Sequence, residues 1–257
     1  MKRTRLDQTL VARSMCNSIA EAVAAIDQRT ITVNGTIATS HGYLVAPDDE
    51  IAIRIKPKYV SRGGVKLESA IAEFKLDLVG KRVLDVGAST GGFTDCALQH
   101  GARQVVAVDV GNNLLHEKIS TDPRVVVVEK LNARQIGSLV RTRDSRFLEP
   151  FDIAVVDLSF ISIRDVLESI VASLRQSSVL VLLVKPQFEA SKAETDQGGG
   201  VISDSAVHRR VCAEVTQWVE ATECTVEGIM PSPILGQDGN QEFLLVAKCT
   251  RVEPQTQ

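Results

Sequence analysis

No apolar run in this 257-residue chain is long enough to cross a membrane. The longest, such as "VLVLLV" at 179–184, fall far short of the roughly 20 residues a spanning helix needs. The opening residues, "MKRTRLDQTL", carry charge with no apolar stretch behind it, which argues against a secretory signal and against stable membrane insertion. The five cysteines (Cys16, Cys96, Cys212, Cys224, Cys249) are odd in number and widely spaced, and none forms Cys-x-x-Cys. That spacing predicts reduced, cytoplasmic thiols, mostly in the core, and no metal site. His41, His100, His116 and His208 also sit apart, without metal-ligand spacing. Strong charge of one sign is lacking too, since the net charge is −3. Residues 1–60 nevertheless carry eight Lys/Arg against six Asp/Glu, a weakly basic front on an acidic remainder that permits RNA contact without demanding it.

What is present is an ordinary supply of core-forming residues, 44% apolar with 24% charged. Leu6, Leu10 and Val11 recur at helical spacing. Ser18 and Glu21 then form a capping box ahead of a second stripe, Ile19, Ala22, Val23 and Ile26. "ITVNGTIAT" reads as strand, Asn34-Gly35 turn, strand, and "DDEIAIRI" alternates with Ile51, Ile53 and Ile55 on one face. Residues 1–57 are therefore expected to be a small α+β module, followed by a linker at 58–61. From 62 to 250 strands alternate with helices: "RVLDVG", "QVVAVDV", "RVVVVE", "DIAVVDLSF" and "SVLVLLVK" are strands, while "SIRDVLESIVASL" and "DSAVHRRVCAEVTQWVEA" are helices. That alternation predicts an α/β, doubly wound, mostly parallel sheet. "CTVEGIM" and "EFLLVAKC" are joined without room for a crossover helix, so the last strand should run antiparallel. Residues 251–257 read as a frayed tail.

"VLDVGASTGGFTD" passes from strand through turn into helix, at the strand end where open α/β sheets bind ligands. A dinucleotide fingerprint requires glycine at 89, and Ser89 stands there, which argues against NAD or FAD. Asp109 ends the next strand, 24 residues after Asp85, where a carboxylate can hold two ribose hydroxyls. A turn without pyrophosphate contacts plus a ribose-binding acid fits S-adenosylmethionine. A tight turn in some other α/β enzyme is the plainer alternative.

Polar residues cluster at one predicted sheet edge. Asp157 and Lys185 follow apolar strands directly, Glu242 starts the final, reversed strand, and Lys66 opens a helix beyond the linker. Each alone reads as a solvated strand end; together they suit methyl transfer to a ribose hydroxyl. A hydroxyl becomes a competent nucleophile once its proton is taken, and a neutral lysine amine takes it while carboxylates orient the amine. In-line displacement is then chiefly a matter of alignment. A base methyltransferase is disfavoured because "VVDLSF" carries neither an Asn-Pro-Pro-aromatic motif nor a cysteine.

The stretches "YVSRGGVKLESAI", "VLDVGASTGGFTDCALQHGA", "VVDLSFIS", "LVKPQFEA", "GGGVISD" and "PSPILGQDGNQEFLL" resemble the TlyA/hemolysin A family of ribosomal RNA 2′-O-methyltransferases, related to FtsJ/RrmJ in the catalytic domain. The front module resembles the RNA-binding domain first seen in ribosomal small-subunit protein four, on "RLDQTLVAR" and "VNG". The resemblance implies a Rossmann-like methyltransferase domain and a catalytic set of Lys66, Asp157, Lys185 and Glu242, with Lys185 as base. It implies S-adenosylmethionine on Gly87, Ala88, Ser89, Gly91, Gly92, Phe93 and Asp109, and RNA contacts from Arg3, Arg5, Arg13 and Arg62. A cytidine ribose in ribosomal RNA is the implied substrate, with the ribosomal subunit as partner. Two departures remove polar or basic groups: "NNLLHEKIS" follows "DVG", and Ile19 replaces an arginine after the helix-start serine. The rival readings are a hemolysin-type membrane-active protein and an RNA-binding protein without turnover.

Overall fold

The chain divides into two units, Met1–Lys58 and Tyr59–Gln257. The structure, a computed structural model, describes residues 3–54, 57–236 and 238–250, with the side chain of Gln197 excepted. The expected tail 251–257 and Ile55 lie outside the described residues.

The first unit runs β1 (Thr4–Arg5), α1 (Leu6–Ala12), α2 (Ile19–Asp27), β2 (Ile31–Val33), β3 (Thr36–Ile37), β4 (Leu44–Val45) and β5 (Ile51–Ile53). Leu6 and Leu10 of α1 pack with Ala22 and Ile26 of α2 against Ile31, Val33 and Val45, forming a core of the unit's own. Asn34 and Gly35 both take positive φ, 48° and 77°, the twist that a two-residue hairpin between β2 and β3 needs. The capping box at α2 is half present. Ser18 accepts from the Glu21 amide, but the Glu21 carboxylate reaches past Ser18 to the Asn17 backbone and side chain. Ile19, expected in the buried stripe, is exposed on the first turn.

The second unit runs α3 (Gly63–Phe74), β6 (Arg82–Val86), α4 (Gly92–Gln99), β7 (Gln104–Val108), α5 (Glu117–Ser120), β8 (Val125–Val128), α6 (Ile136–Arg141), β9 (Phe151–Val156), α7 (Leu167–Val171), β10 (Leu174–Val184), α8 (Pro186–Glu189), α9 (Lys192–Gln197), α10 (Ser205–Glu220), β11 (Cys224–Pro231) and β12 (Phe243–Cys249). One seven-stranded sheet has the order β11-β12-β10-β9-β6-β7-β8. The first five of its strands in the chain, β6 to β10, pair parallel, and β12 runs antiparallel to both β10 and β11. Alternation along each strand feeds two cores. Leu84, Val86, Ala154 and Val156 meet α6, α7 and α10 on one face, while Val83, Val105, Ile153 and Val155 meet α3 and α4 on the other. This is the doubly wound α/β sheet with a reversed last strand that the pattern predicts. The chain leaves β6 toward β7 and β8, then returns to the other side of β6 with β9. The crevice between β6 and β9 is therefore the switch point at which such sheets bind ligands.

Two expectations need correction. The single helix expected over "SIRDVLESIVASL" is a short 3-10 turn, Ile163–Asp165, followed by α7, with Val166 off helical geometry between them. Its first turn is tied sideways, because Glu189 accepts from the Ile163 amide and the Ser162 hydroxyl. The cysteines are not all free thiols either: Cys224 and Cys249 form a disulfide. They are directly opposed partners in the β11–β12 ladder, with Cα atoms 4.0 Å apart. Spacing along the chain cannot reveal that opposition, which strand pairing alone creates. Cys16 and Cys96 are buried free thiols and Cys212 is half-buried. Among the described residues no group of His, Cys, Asp or Glu has metal-binding geometry, and no helix is long and apolar enough to cross a membrane.

Candidate active site

The turn after β6 is stripped of side chains where it meets its neighbours. Gly87 has φ +84°, and a Cβ there would stand 2.2 Å from the Asp157 carbonyl oxygen. Gly91 has φ +92°, and a Cβ on Gly92 would fall 2.2 Å from Ser61 Oγ. Both crowding and backbone angle thus exclude larger residues. Asp109, just past β7, accepts from the Ser89 amide through Oδ2 and the Gly111 amide through Oδ1, which fixes its carboxylate beside the glycine turn. A carboxylate has about four lone-pair positions, so further acceptor capacity remains for a ligand's hydroxyls.

Two adjoining cavities open at this edge. One, of about 390 Å³, is lined by Val110, Leu114, Leu131, Ala133 and Ile161 along with Asp109. The other, of about 340 Å³, is lined by Arg62, Lys66, Lys185, Glu242, Gln187 and Phe188 among others. Gly87, Ser89, Asp157, Ser159 and Phe160 line both. An apolar slot continuous with a polar chamber suits a ligand with a flat apolar ring at one end and a charged tail at the other.

Strand register explains why the ionisable residues converge. Val184 of β10 pairs with Phe243 of β12, so Lys185, one step on, and Glu242, one step back, leave adjacent strands at the same edge. Val86 pairs with Val156, so Gly87 and Asp157 emerge side by side. Lys66 comes from the first turn of α3. Two ion pairs result. Lys66 Nζ donates to Glu242 Oε2 at 2.5 Å, and Lys185 Nζ lies 2.6 Å from Asp157 Oδ1. Both lysines and Glu242 are buried. Burying such charges is costly unless they are paired, so the pairing is what makes four ionisable groups tolerable here.

Every residue expected around the glycine turn except Gly91 lines one of the two cavities, Ala88 and Phe93 included. Gly91 lies behind them against Leu115 and Ile119. Arg62 is exposed at the rim, with no partner among the described residues. The arginines of the first unit differ in their commitments. Arg13 donates to the carbonyls of Asp49 and Pro47, Arg5 pairs with Asp7, and Arg3 is exposed. The histidines have structural partners: His100 contacts the Cys96 carbonyl, His116 caps α5, and His208 bonds the Ile202 carbonyl.

Sequence reasoning missed Ser159 and Phe160. Ser159 Oγ accepts from Lys185 Nζ at 3.0 Å. Phe160 is 91% exposed at φ +64°, with its ring 5.1 Å from that of Phe188. A large aromatic so exposed was the available signal, but a string of letters does not show exposure. Gly236 was also missed, and it leaves the room in which the Glu242 carboxylate sits.

The description "FtsJ-like methyltransferase" matches residues 59–249, and "S4 domain" matches residues 4–51. A candidate rRNA methyltransferase, YqxC, of Bacillus subtilis is 39% identical over 95% of this chain and 85% of its own length. The 16S/23S rRNA (cytidine-2′-O)-methyltransferase TlyA of Mycobacterium tuberculosis is 36% identical over 95% of this chain and 89% of its own. A solved structure from Streptococcus thermophilus, named as a candidate hemolysin, has a TM-score of 0.71 at 35% identity, covering 97% of this chain and 90% of that one. The chain belongs to the FtsJ-like methyltransferase family.

Proposed function

We propose that this protein methylates the 2′-hydroxyl of a cytidine in ribosomal RNA, with S-adenosylmethionine as methyl donor. The observation that carries the reading is the pair of lysine–carboxylate contacts, Lys66–Glu242 and Lys185–Asp157, set at one edge of the sheet beside a bare glycine turn. The residues present fit the donor. Val110, Leu114, Leu131 and Ala133 would hold the adenine, Asp109 the ribose hydroxyls, and Gly87, Ala88, Ser89, Gly92 and Phe93 the methionine end. When bound, the donor supplies a methyl group on a sulfonium; the carbon–sulfur bond breaks toward sulfur as the oxygen–carbon bond forms.

The protein's part is to hold, deprotonate and exclude water. Lys185, as the neutral amine, takes the 2′-hydroxyl proton and becomes an ammonium that later releases it to solvent. Asp157 stabilises that ammonium. Lys66 is held by its ion pair with Glu242. The choice of Lys185 over Lys66 rests on directness of access. Lys66 is clamped to a fully enclosed carboxylate, whereas Asp157 remains partly open to the cleft. Phe160, beside Phe188 at the mouth, offers a face on which an unstacked base can lie, the usual way single-stranded nucleotides are held. Arg62 and the first unit supply cationic and surface contacts to the RNA backbone, and the relatives named for rRNA support a cytoplasmic, ribosomal setting.

The test is methylation of ribosomal RNA lacking the mark by purified protein and labelled donor, with ribose methylation mapped by nucleotide. A new 2′-O-methyl cytidine supports the reading. Label on a base, on protein or nowhere contradicts it.

A further inference from the structure

We infer that Ser159 is the residue that aims Lys185, a positioning role in the proposed methyl transfer; the inference rests on the reading of Lys185 as base. The Lys185–Asp157 contact is close, yet Asp157 Oδ1 takes no bond of hydrogen-bond geometry. Their attraction holds the amine near the carboxylate without fixing its rotation about the Cε–Nζ bond. The aligned hydrogen bond from Lys185 Nζ goes to Ser159 Oγ at 3.0 Å. Hydrogen bonds weaken steeply with angle, so this contact is the directional one.

The consequence follows from the valence of an amine. Neutral Lys185 has two N–H bonds and one lone pair. With one N–H directed to Ser159 and the second drawn toward Asp157, the lone pair occupies the remaining direction. Ser159, Asp157 and Lys185 all line the polar cavity, so that remaining direction is where the acceptor hydroxyl must approach. Lys66 has no such second acceptor; its bond among the described residues goes to Glu242 alone. The two lysines therefore differ in kind: one is clamped as a charge, the other is oriented by a serine.

Ser159 sits where this role needs it and is dispensable for packing. It lies two residues beyond Asp157, which follows β9 directly, and it is exposed to the cleft. Replacing it by alanine removes one oxygen and opens no cavity in either core. In the sequence it is the serine of "VVDLSF".

The experiment compares Ser159→Ala, Ser159→Thr and Lys185→Ala in the full-length protein. The readouts are kcat and KM with ribosomal RNA and the affinity for S-adenosylmethionine by calorimetry. Ser159→Ala is expected to lower kcat at least about tenfold, the scale on which misalignment acts, with KM and donor affinity within about twofold of wild type. Ser159→Thr, which keeps the hydroxyl, is expected to recover kcat to within about threefold. Three results overturn the inference. If Ser159→Ala loses less than tenfold in kcat while Lys185→Ala is inactive, the serine does not aim the lysine, although the base reading survives. If Ser159→Ala also loses donor affinity and threonine restores nothing, the role is structural. If Lys185→Ala turns over normally, the base reading itself fails, and the role of Ser159 fails with it.

Discussion

A Cβ on Gly236 would stand 2.6 Å from Glu242 Oε1, so the missing side chain at 236 is what lets Glu242 reach Lys66. The atom displaced by Gly236→Ala is the tip of a flexible side chain, and the backbone at 236 is not among the positive-φ glycines. Gly236→Ala should therefore weaken the buried Lys66–Glu242 pair, at a cost of up to about 3 kcal/mol in stability, and lower kcat severalfold as the carboxylate is pushed off the lysine. Urea midpoints beside turnover numbers check this. A large stability loss with normal turnover would contradict it.

Asp85 is fully buried in β6. Its Oδ2 accepts from Thr94 Oγ1 and its Oδ1 has no partner. Burial pushes this carboxyl up to about 7, with Asp157 and Asp109 adding to the rise against the pull of the Thr94 bonds. The folded state thus keeps a proton that the unfolded chain releases near pH 4. The contribution to stability is complete below that pH and is lost as pH rises toward 7, at up to about 1.4 kcal/mol per unit. Asp85→Asn should flatten this part of the curve and gain on wild type at pH 8. Thermal unfolding of both proteins at pH 5 and pH 8 decides it; parallel curves would contradict it.

The Cys224–Cys249 bond closes a separation of 25 residues at the sheet edge, at the far end of β12 from Glu242. Loop-closure entropy gives such a bond about 3.5 kcal/mol, and a reducing compartment would hold the pair as thiols. Reductant, or Cys224→Ser, should lower the unfolding free energy by up to that amount and leave kcat unchanged. Chemical unfolding with and without reductant measures the first, and turnover the second.

Phe160 is nine-tenths exposed and rests on Phe188. Phe160→Ala should leave the melting temperature within about 1 °C, since it empties no core, and should weaken the handling of RNA by about 1–3 kcal/mol, the worth of one stacked base. The donor's affinity should not change. Loss of donor binding without any change toward RNA would contradict the stacking role.

The parts of this protein written locally in its sequence were legible there. Short apolar runs such as "VLVLLV" and the glycine turn after Asp85 predict the sheet and its switch point, and polar residues at the ends and starts of the elements predict the cluster of Lys66, Asp157, Lys185 and Glu242. What escaped depends on partners distant in the chain. Cys224 meets Cys249 only because two strands pair. The helix after Ser162 breaks because Glu189, 27 residues later, holds its first turn. Gly236 matters only through Glu242, and Ser159 only through Lys185. Arg13 looks like any basic surface residue until its bonds to Pro47 and Asp49 appear.

The central claim is that Lys185 removes the proton from the ribose hydroxyl. Single-turnover methylation of ribosomal RNA by Lys185→Ala, with S-adenosylmethionine affinity measured on the same preparation, tests it most directly. The account predicts turnover reduced by at least about a hundredfold with donor affinity near that of wild type. Turnover close to wild type in a variant that still binds the donor would contradict it.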